Sequence, residues 1–327
     1  MNDFLFERAQ SPEGAISAVR SRSGARFIAG GTNILDLMKD AVEAPSLLVD
    51  INALPLRGIE RRGSALFIGA LERMGDVAAH PIVRERLPLV AIALKESASP
   101  QLRNMATVGG NVLQRTRCPY FRDVVTACNK RNPGSGCSAI GGENRRQAVL
   151  GTSDHCIAAH ASDFAVALTA LGATIHVIGP DGAREIAFRE FYRFPGSTPE
   201  VETALERGEL IAGLSLPLLP FAGSSTYVKV RDRAQFDFAL VSAAVALHVE
   251  DTVVREARIA LGGVGTIPWH APEAERALVG GVARREDFQK AAGLAMSGAR
   301  GYGGNDFKIV LAQRALVRAL EIATPAA

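Results

Sequence analysis

The chain lacks the features that mark several specialised classes. No apolar run approaches the roughly 20 residues that a membrane-spanning helix needs. The opening residues, Met1-Asn2-Asp3-Phe4-Leu5-Phe6-Glu7, supply neither a basic segment nor a long apolar one, so no export signal is expected on this chain. Its 37 Lys and Arg nearly balance 34 Asp and Glu, which argues against nucleic acid as the main partner. No G-x-G-x-x-G follows a strand, and there is no Walker sequence. Cysteine is missing everywhere except one segment, where Cys118, Cys128, Cys137 and Cys156 stand without the C-x2-4-C pairing of structural zinc knuckles.

What is present suits an ordinary globular protein of two or three domains, 327 residues long and 47% hydrophobic. Ser11-Pro12-Glu13 caps and opens a helix after a short strand. A strand at 26–29 then breaks at Gly30-Gly31-Thr32-Asn33, and a helix starts at Ile34. Strands at 47–51 and 66–70 alternate with helices, a pattern that favours an α/β arrangement. A second glycine turn, Thr107-Val108-Gly109-Gly110-Asn111, follows the helical stretch 87–106. Two such turns let backbone approach an extended ligand with several phosphate oxygens, such as a dinucleotide; two tight packing turns are the alternative.

Residues 107–163 have almost no helical or strand periodicity. A loop of that length inside a domain is uncommon and usually has its own function. Read from the residues, its four cysteines suit an iron-sulfur cluster first, zinc second and disulfides third. Arg103, Arg115, Arg117, Arg122, Lys130, Arg131, Arg145 and Arg146 crowd the same stretch and would offset the negative charge of four thiolates on a cluster. After Asp163 come a helix at 164–171, strands at 174–178 and 208–216, and a Pro/Gly-rich break at 217–223. The last third reads as a smaller α+β unit, with 239–249 either helix or strand and a closing helix at 306–323. By pattern alone, Lys229 and Arg231 belong to packing and a solvated edge.

In this order and spacing the motifs resemble the flavin-binding subunit of the molybdenum hydroxylases, the family of xanthine dehydrogenase and aldehyde oxidoreductase, over essentially the whole chain. The stretch from Phe27 to Ile34 resembles the family's first FAD turn and Thr107–Asn111 its second; Ser162-Asp163 and the Lys229 strand also match. The resemblance implies an α+β fold: a two-part vanillyl-alcohol-oxidase-type FAD domain over residues 1–222, in lobes of about 1–55 and 56–222, then a CO dehydrogenase flavoprotein C-terminal type domain over 223–327. It implies that Gly30, Gly31, Thr32, Asn33, Gly109, Gly110 and Asn111 hold pyrophosphate and ribityl oxygens of FAD. Asp163 would accept hydrogen bonds from the cofactor, and Lys229 would lie near the flavin ring and favour its reduced anion. Phe27, Ile28, Ala29, Ile34, Thr107 and Ile211 complete the implied contact set.

The chain departs from most of the family by inserting the cysteine loop at about 113–160. That insertion resembles two subgroups with an extra 4Fe-4S cluster, the hydroxybenzoyl-CoA reductases and, more closely, the bacterial periplasmic aldehyde oxidoreductases. Their pattern implies Cys118, Cys128, Cys137 and Cys156 as cluster ligands. It also implies a small 2Fe-2S subunit and a large molybdopterin subunit as partners, a soluble electron acceptor, and a periplasmic location reached by co-export with a signal-bearing partner, the cytoplasm being the alternative. The expected function is electron transfer from those partners to FAD. A xanthine dehydrogenase-like complex, a zinc-stabilised binding protein and a stand-alone flavin oxidase are the competing readings. No general base is evident beside a flavin pocket, so no catalytic residue is assigned.

Overall fold

Ser11 accepts the Gly14 N–H at 3.0 Å and Pro12 takes the first helical position, so the first helix, Pro12–Ser21, starts where its sequence dictates. The computed structural model describes residues 2–324. The helix Pro12–Ser21 lies between β1 (Leu5–Arg8) and β2 (Ala25–Ile28), which pair in parallel with β3 (Leu47–Asp50) in the order β1-β3-β2. The sheet's buried residues, among them Val49, Ala25 and Leu47, pack on Ala15, Ile16 and Val19 of that helix.

A second sheet collects β4 (Ile59–Arg62), β5 (Ala65–Gly69), β6 (Thr174–Gly179), β7 (Gly182–Ala187) and β8 (Leu210–Pro217) in the order β4-β5-β8-β6-β7, all antiparallel. The α/β alternation expected from the sequence therefore ends after the first sheet. Helices from Met74 to Met105 follow one another without an intervening strand, which gives the α+β class that the resemblance implies. The strand β4 is an exposed, arginine-bearing edge, and its polarity hides it from a hydrophobic-pattern reading.

The third sheet contains β9 (Ser225–Val230), β10 (Val241–Glu250), β11 (Val253–Gly262) and β12 (Trp269–His270) in the order β12-β11-β10-β9. The ambiguous run 239–249 is thus a strand. It is buried on both faces: Val241, Ala243, Val245 and Leu247 pack with the helix Phe307–Ala323, whereas Ala244 joins the core around the helices Pro88–Glu96 and Asp163–Leu171. A strand covered on both sides shows no polar alternation, which is why its period was unreadable.

A buried ion pair joins this third sheet to the helices of the second layer. Asp163 opens the helix Asp163–Leu171, and its carboxylate accepts from Lys229 Nζ at 2.8 Å, Tyr227 Oη at 2.8 Å and Ser97 Oγ at 3.3 Å. Lys229 also donates to the Glu96 carbonyl at 2.9 Å, and its side chain is 1% exposed. Lys229 is therefore no solvated edge residue. Burial pushes the Asp163 carboxyl above its ordinary range, while Lys229, Tyr227 and Ser97 pull in the opposite direction. Removing one member of a buried pair strands the other, at a cost of about 3–5 kcal/mol. Lys229→Met is expected to lower the thermal unfolding temperature markedly in saturating FAD, and adding Asp163→Asn to restore most of the loss.

Candidate functional site

Each glycine turn packs closely on its neighbour because it carries no side chain at its point of approach. A Cβ on Gly30 would collide with the carbonyl of Met105, at the end of the helix Pro100–Met105. A Cβ on Gly109 would stand 2.9 Å from that of Ala70. The second turn is pinned to the end of β5 by Gly109 N–H donating to Ala70 O and Val108 N–H to Glu72 O, both at 2.9 Å. Arg73 locks the pair of turns together: it donates to Met105 O and, at 3.0 Å, to Asn52 Oδ1, while Asn52 donates to Ala29 O at 2.9 Å.

The turns differ in what they leave free. In the second, Gly110 N–H donates to Thr107 Oγ1 at 3.1 Å and Asn111 N–H to Thr107 O at 2.8 Å, so its donors are spent internally. In the first, the N–H groups of Gly31, Thr32, Asn33 and Ile34 donate to no backbone carbonyl among the described residues. Asn33 adds a side-chain donor, Nδ2, that is buried and unpartnered, its Oδ1 being held by the Arg115 N–H at 3.2 Å. A buried donor without an acceptor costs free energy unless a ligand supplies one. The cleft along this turn has two adjoining chambers of about 250 and 640 Å3 that share Gly30, Gly31, Thr32, Asn33 and Gly110. The smaller is apolar, lined by Phe27, Ile34, Leu37, Leu71 and Ile211; the larger reaches Asn111, Asp163 and Lys229. A long ligand with an apolar end and a phosphate-bearing middle fits this shape.

Beyond the second turn the chain folds around its cysteines. Thr116 Oγ1 receives the Cys118 N–H at 3.2 Å and donates to Ala159 O at 2.9 Å, bringing both ends of the segment together. Cys128 and Cys137 face each other across a one-residue antiparallel bridge closed by a turn in which Gly134 (φ +85°) and Gly136 (φ +98°) adopt the left-handed region. Asn129 spans the turn, accepting the Gly136 N–H at 2.8 Å and donating to His155 O at 3.1 Å. All four cysteines are free thiols that line one small cavity, three of them buried. Donors point at the sulfurs: Gln147 Nε2 to Cys118 at 3.4 Å and the Ala158 N–H to Cys156 at 3.5 Å. Burial pushes the Cys118 thiol up to about 11, against N–H donors from Phe121 and Tyr120, and also raises Cys156. Among the described residues, no three His, Cys, Asp or Glu side chains form a group that could hold a single metal ion.

Residues 2–219 match the family model described as FAD binding domain in molybdopterin dehydrogenase, and 226–323 match the CO dehydrogenase flavoprotein C-terminal domain. The chain is 47% identical to the aldehyde oxidoreductase FAD-binding subunit PaoB of Escherichia coli over 98% of each chain, and 28% identical to the carbon monoxide dehydrogenase medium chain of Hydrogenophaga pseudoflava over 92% of this chain and 90% of that one. Its fold superposes on a chain of reconstituted CO dehydrogenase from Oligotropha carboxidovorans with a TM-score of 0.78 and 26% identity, covering 98% of both. The chain belongs to the FAD-binding subunits of the molybdenum hydroxylases. It is a subunit of an FAD-dependent oxidoreductase, and the free donors of the first turn suit the cofactor of that family.

Within this FAD-binding subunit, every cofactor residue expected from the sequence except Ile28 lines one of the two chambers. Ile28 points to the other face of β2 and packs with Met38 and Leu48, as the two-residue period of a strand requires. Ser162 caps the helix Asp163–Leu171 through the Ala165 N–H at 3.0 Å and donates to Asn111 Oδ1 at 2.6 Å, so the Ser-Asp motif orients the second turn. Asp163 and Lys229 lie at the wall of the larger chamber but are committed to each other. Lys229 therefore reaches the chamber wall with a carboxylate beside it rather than as an isolated cation.

The cations of the cysteine segment are also placed differently from the sequence expectation. Arg115 pairs with Glu43 and Glu202, Arg117 and Arg122 with Asp36, and Arg145 and Arg146 with Asp232. Arg103 and Arg131 bind backbone carbonyls. Only Lys130 of the eight lines the thiol cavity. Sequence reading also missed Arg115 at the apolar chamber and the loop bearing Arg233, Phe236 and Phe238 at the larger one. No periodicity or spacing marks these positions.

Asn33→Ala should raise the Kd for FAD about tenfold, the worth of one buried hydrogen bond of about 1.4 kcal/mol, in titrations of deflavinated protein. Gly30→Ala should abolish visible flavin absorbance in the purified protein, because the clash is with backbone.

Proposed function

We propose that the chain is the electron-transfer subunit of a molybdenum-dependent aldehyde oxidoreductase, carrying FAD along the glycine turns and a 4Fe-4S cluster among Cys118, Cys128, Cys137 and Cys156. Its partners would be a small 2Fe-2S subunit and a large molybdopterin subunit, with a soluble acceptor collecting electrons from the flavin. The observation that carries the proposal is the gathering of four free thiols around one cavity in a segment that borders the FAD cleft. The likeness to an aldehyde oxidoreductase FAD-binding subunit supports the aldehyde class of substrate.

Bound in the cleft, the flavin takes up electrons and passes them to an acceptor. The chain's own residues hold and shelter it: the first turn and Asn33 offer donors to phosphate oxygens, and Phe27, Leu37 and Ile211 exclude water from the apolar chamber. The Asp163–Lys229 pair fixes the wall of the larger chamber. A cluster held by the four thiols would supply one-electron chemistry. The N–H donors from Gln147 and Ala158 aim at sulfurs that become thiolates on binding iron.

The spacing of the cysteines favours a cluster over one zinc ion: structural zinc sites bring cysteines in C-x2-4-C pairs, which this segment lacks, whereas a cluster takes each thiolate on a separate iron.

In the purified holo-complex, dithionite reduction should produce, besides the signals of the partner's 2Fe-2S centres, a further iron-sulfur EPR signal that disappears in Cys156→Ser while flavin content stays near one per chain. A Cys156→Ser protein whose EPR and visible spectra equal the wild type's would refute the assignment.

A further inference from the structure

We infer that the ion pair Lys130–Glu202 sets the reduction potential of the centre held by the four cysteines, Lys130 favouring its reduced form and Glu202 its oxidised form. The inference rests on the cluster reading above. Lys130 is the one lysine or arginine among the described residues on the wall of the thiol cavity; the other titratable groups there besides the thiols are His155, which is exposed, and Tyr120, whose hydroxyl accepts the Glu143 N–H. The Lys130 side chain is 12% exposed, and its Nζ donates to Pro199 O at 2.8 Å and lies 3.3 Å from Glu202 Oε1.

Glu202 is a shared counter-charge. The same Oε1 accepts from Arg115 Nε at 3.0 Å and Nη2 at 2.7 Å, and Arg115 pairs on its other side with Glu43. Burial would raise the Glu202 carboxyl, but Lys130 and Arg115 outweigh it and hold it below its ordinary range, so it is charged beside Lys130. His160, buried next to the pair, is held neutral by that burial, at about 4, and adds no charge. The four side chains Glu43, Arg115, Glu202 and Lys130 thus alternate in sign from the apolar FAD chamber to the thiols.

Reduction of a cluster adds one electron and breaks no bond, so the centre becomes one unit more negative. A cation in a low-dielectric wall then stabilises the reduced form and a carboxylate the oxidised form. The other basic residues of the segment pair with carboxylates or donate to backbone carbonyls, Arg131 to those of Tyr120, Phe121 and Thr126, and none of them lines the thiol cavity. Lys130 and Glu202 are positioning residues for the field, not ligands.

The test is an EPR-monitored redox titration of the intact complex, with iron and FAD counted in each sample. At a fixed potential, Lys130→Met should lower the reduced-to-oxidised ratio about threefold to tenfold, tenfold being 59 mV for one electron. Glu202→Gln should raise it by a similar factor, and Lys130→Arg should return it toward wild type. Opposite signs from the two neutral variants are a signature that loosened packing does not produce. Shifts of the same sign, or none in Glu202→Gln, overturn the inference. If Lys130→Met loses iron, Lys130→Gln and Glu202→Gln carry the same test. A wild-type complex with FAD but with no iron beyond that of the partner's 2Fe-2S centres overturns the cluster reading and this inference with it, whereas a normal cluster signal with unmoved potentials overturns this inference alone.

Discussion

Residues 113–160 contain too little apolar surface to hold one shape by burial, and the arrangement of the whole site depends on how that segment is closed. Ordering backbone costs roughly 1–2 kcal/mol per residue. The segment's own core is a small cluster around Phe121, Ala139, Ile157 and the cysteines. Polar straps supply the rest. Arg117 and Arg122 tie it to the helix Ile34–Lys39 through Asp36, Arg115 ties it to Glu202, and the C-terminal helix reaches it through Lys308, whose Nζ donates to Gln147 O at 2.8 Å. Four thiols at its centre are the remaining closure, and a centre that cross-links them would fix all three attachments at once.

The flavin cleft follows a complementary logic. Its first turn keeps donors free while the N–H groups of the second are bonded, so the first offers donors to a ligand and the second props the cleft. The prop works because Gly30 and Gly109 let backbone approach backbone, and because Ser162 links Asn111 to the helix that also presents Asp163. Asp163 in turn holds Lys229, so the C-terminal sheet forms part of the wall of a cleft built mostly by the first two sheets. Both cofactor regions therefore share attachments. Arg115 belongs to the apolar chamber and, through Glu202, to the charge chain that ends at the thiols.

Much of this was legible in the sequence where the signal is local. Ser11 before Pro12, the Gly-Gly turns at 30 and 109, and the clustering of every cysteine announce their own geometry. What was not legible depends on distant partners or on a second face. The basic residues of the segment look like a screen for a cluster, yet Arg115 finds Glu202 far along the chain and Arg145 finds Asp232. Ile28 sits inside a motif whose neighbours line the cleft but alternates to the opposite face of its strand. Lys229 reads as an edge cation because its partner, Asp163, lies in another layer. The strand β10 hid its period by being covered on both sides.

Whether a cluster accompanies the flavin on this chain is decided by elemental stoichiometry. Iron, acid-labile sulfide, zinc and FAD would be measured in anaerobically isolated chain, separated from partners so that their centres do not contribute. About four iron and four sulfide per FAD are expected. FAD with about one zinc and no iron would contradict this expectation and make the cysteine segment a structural clip around a single ion.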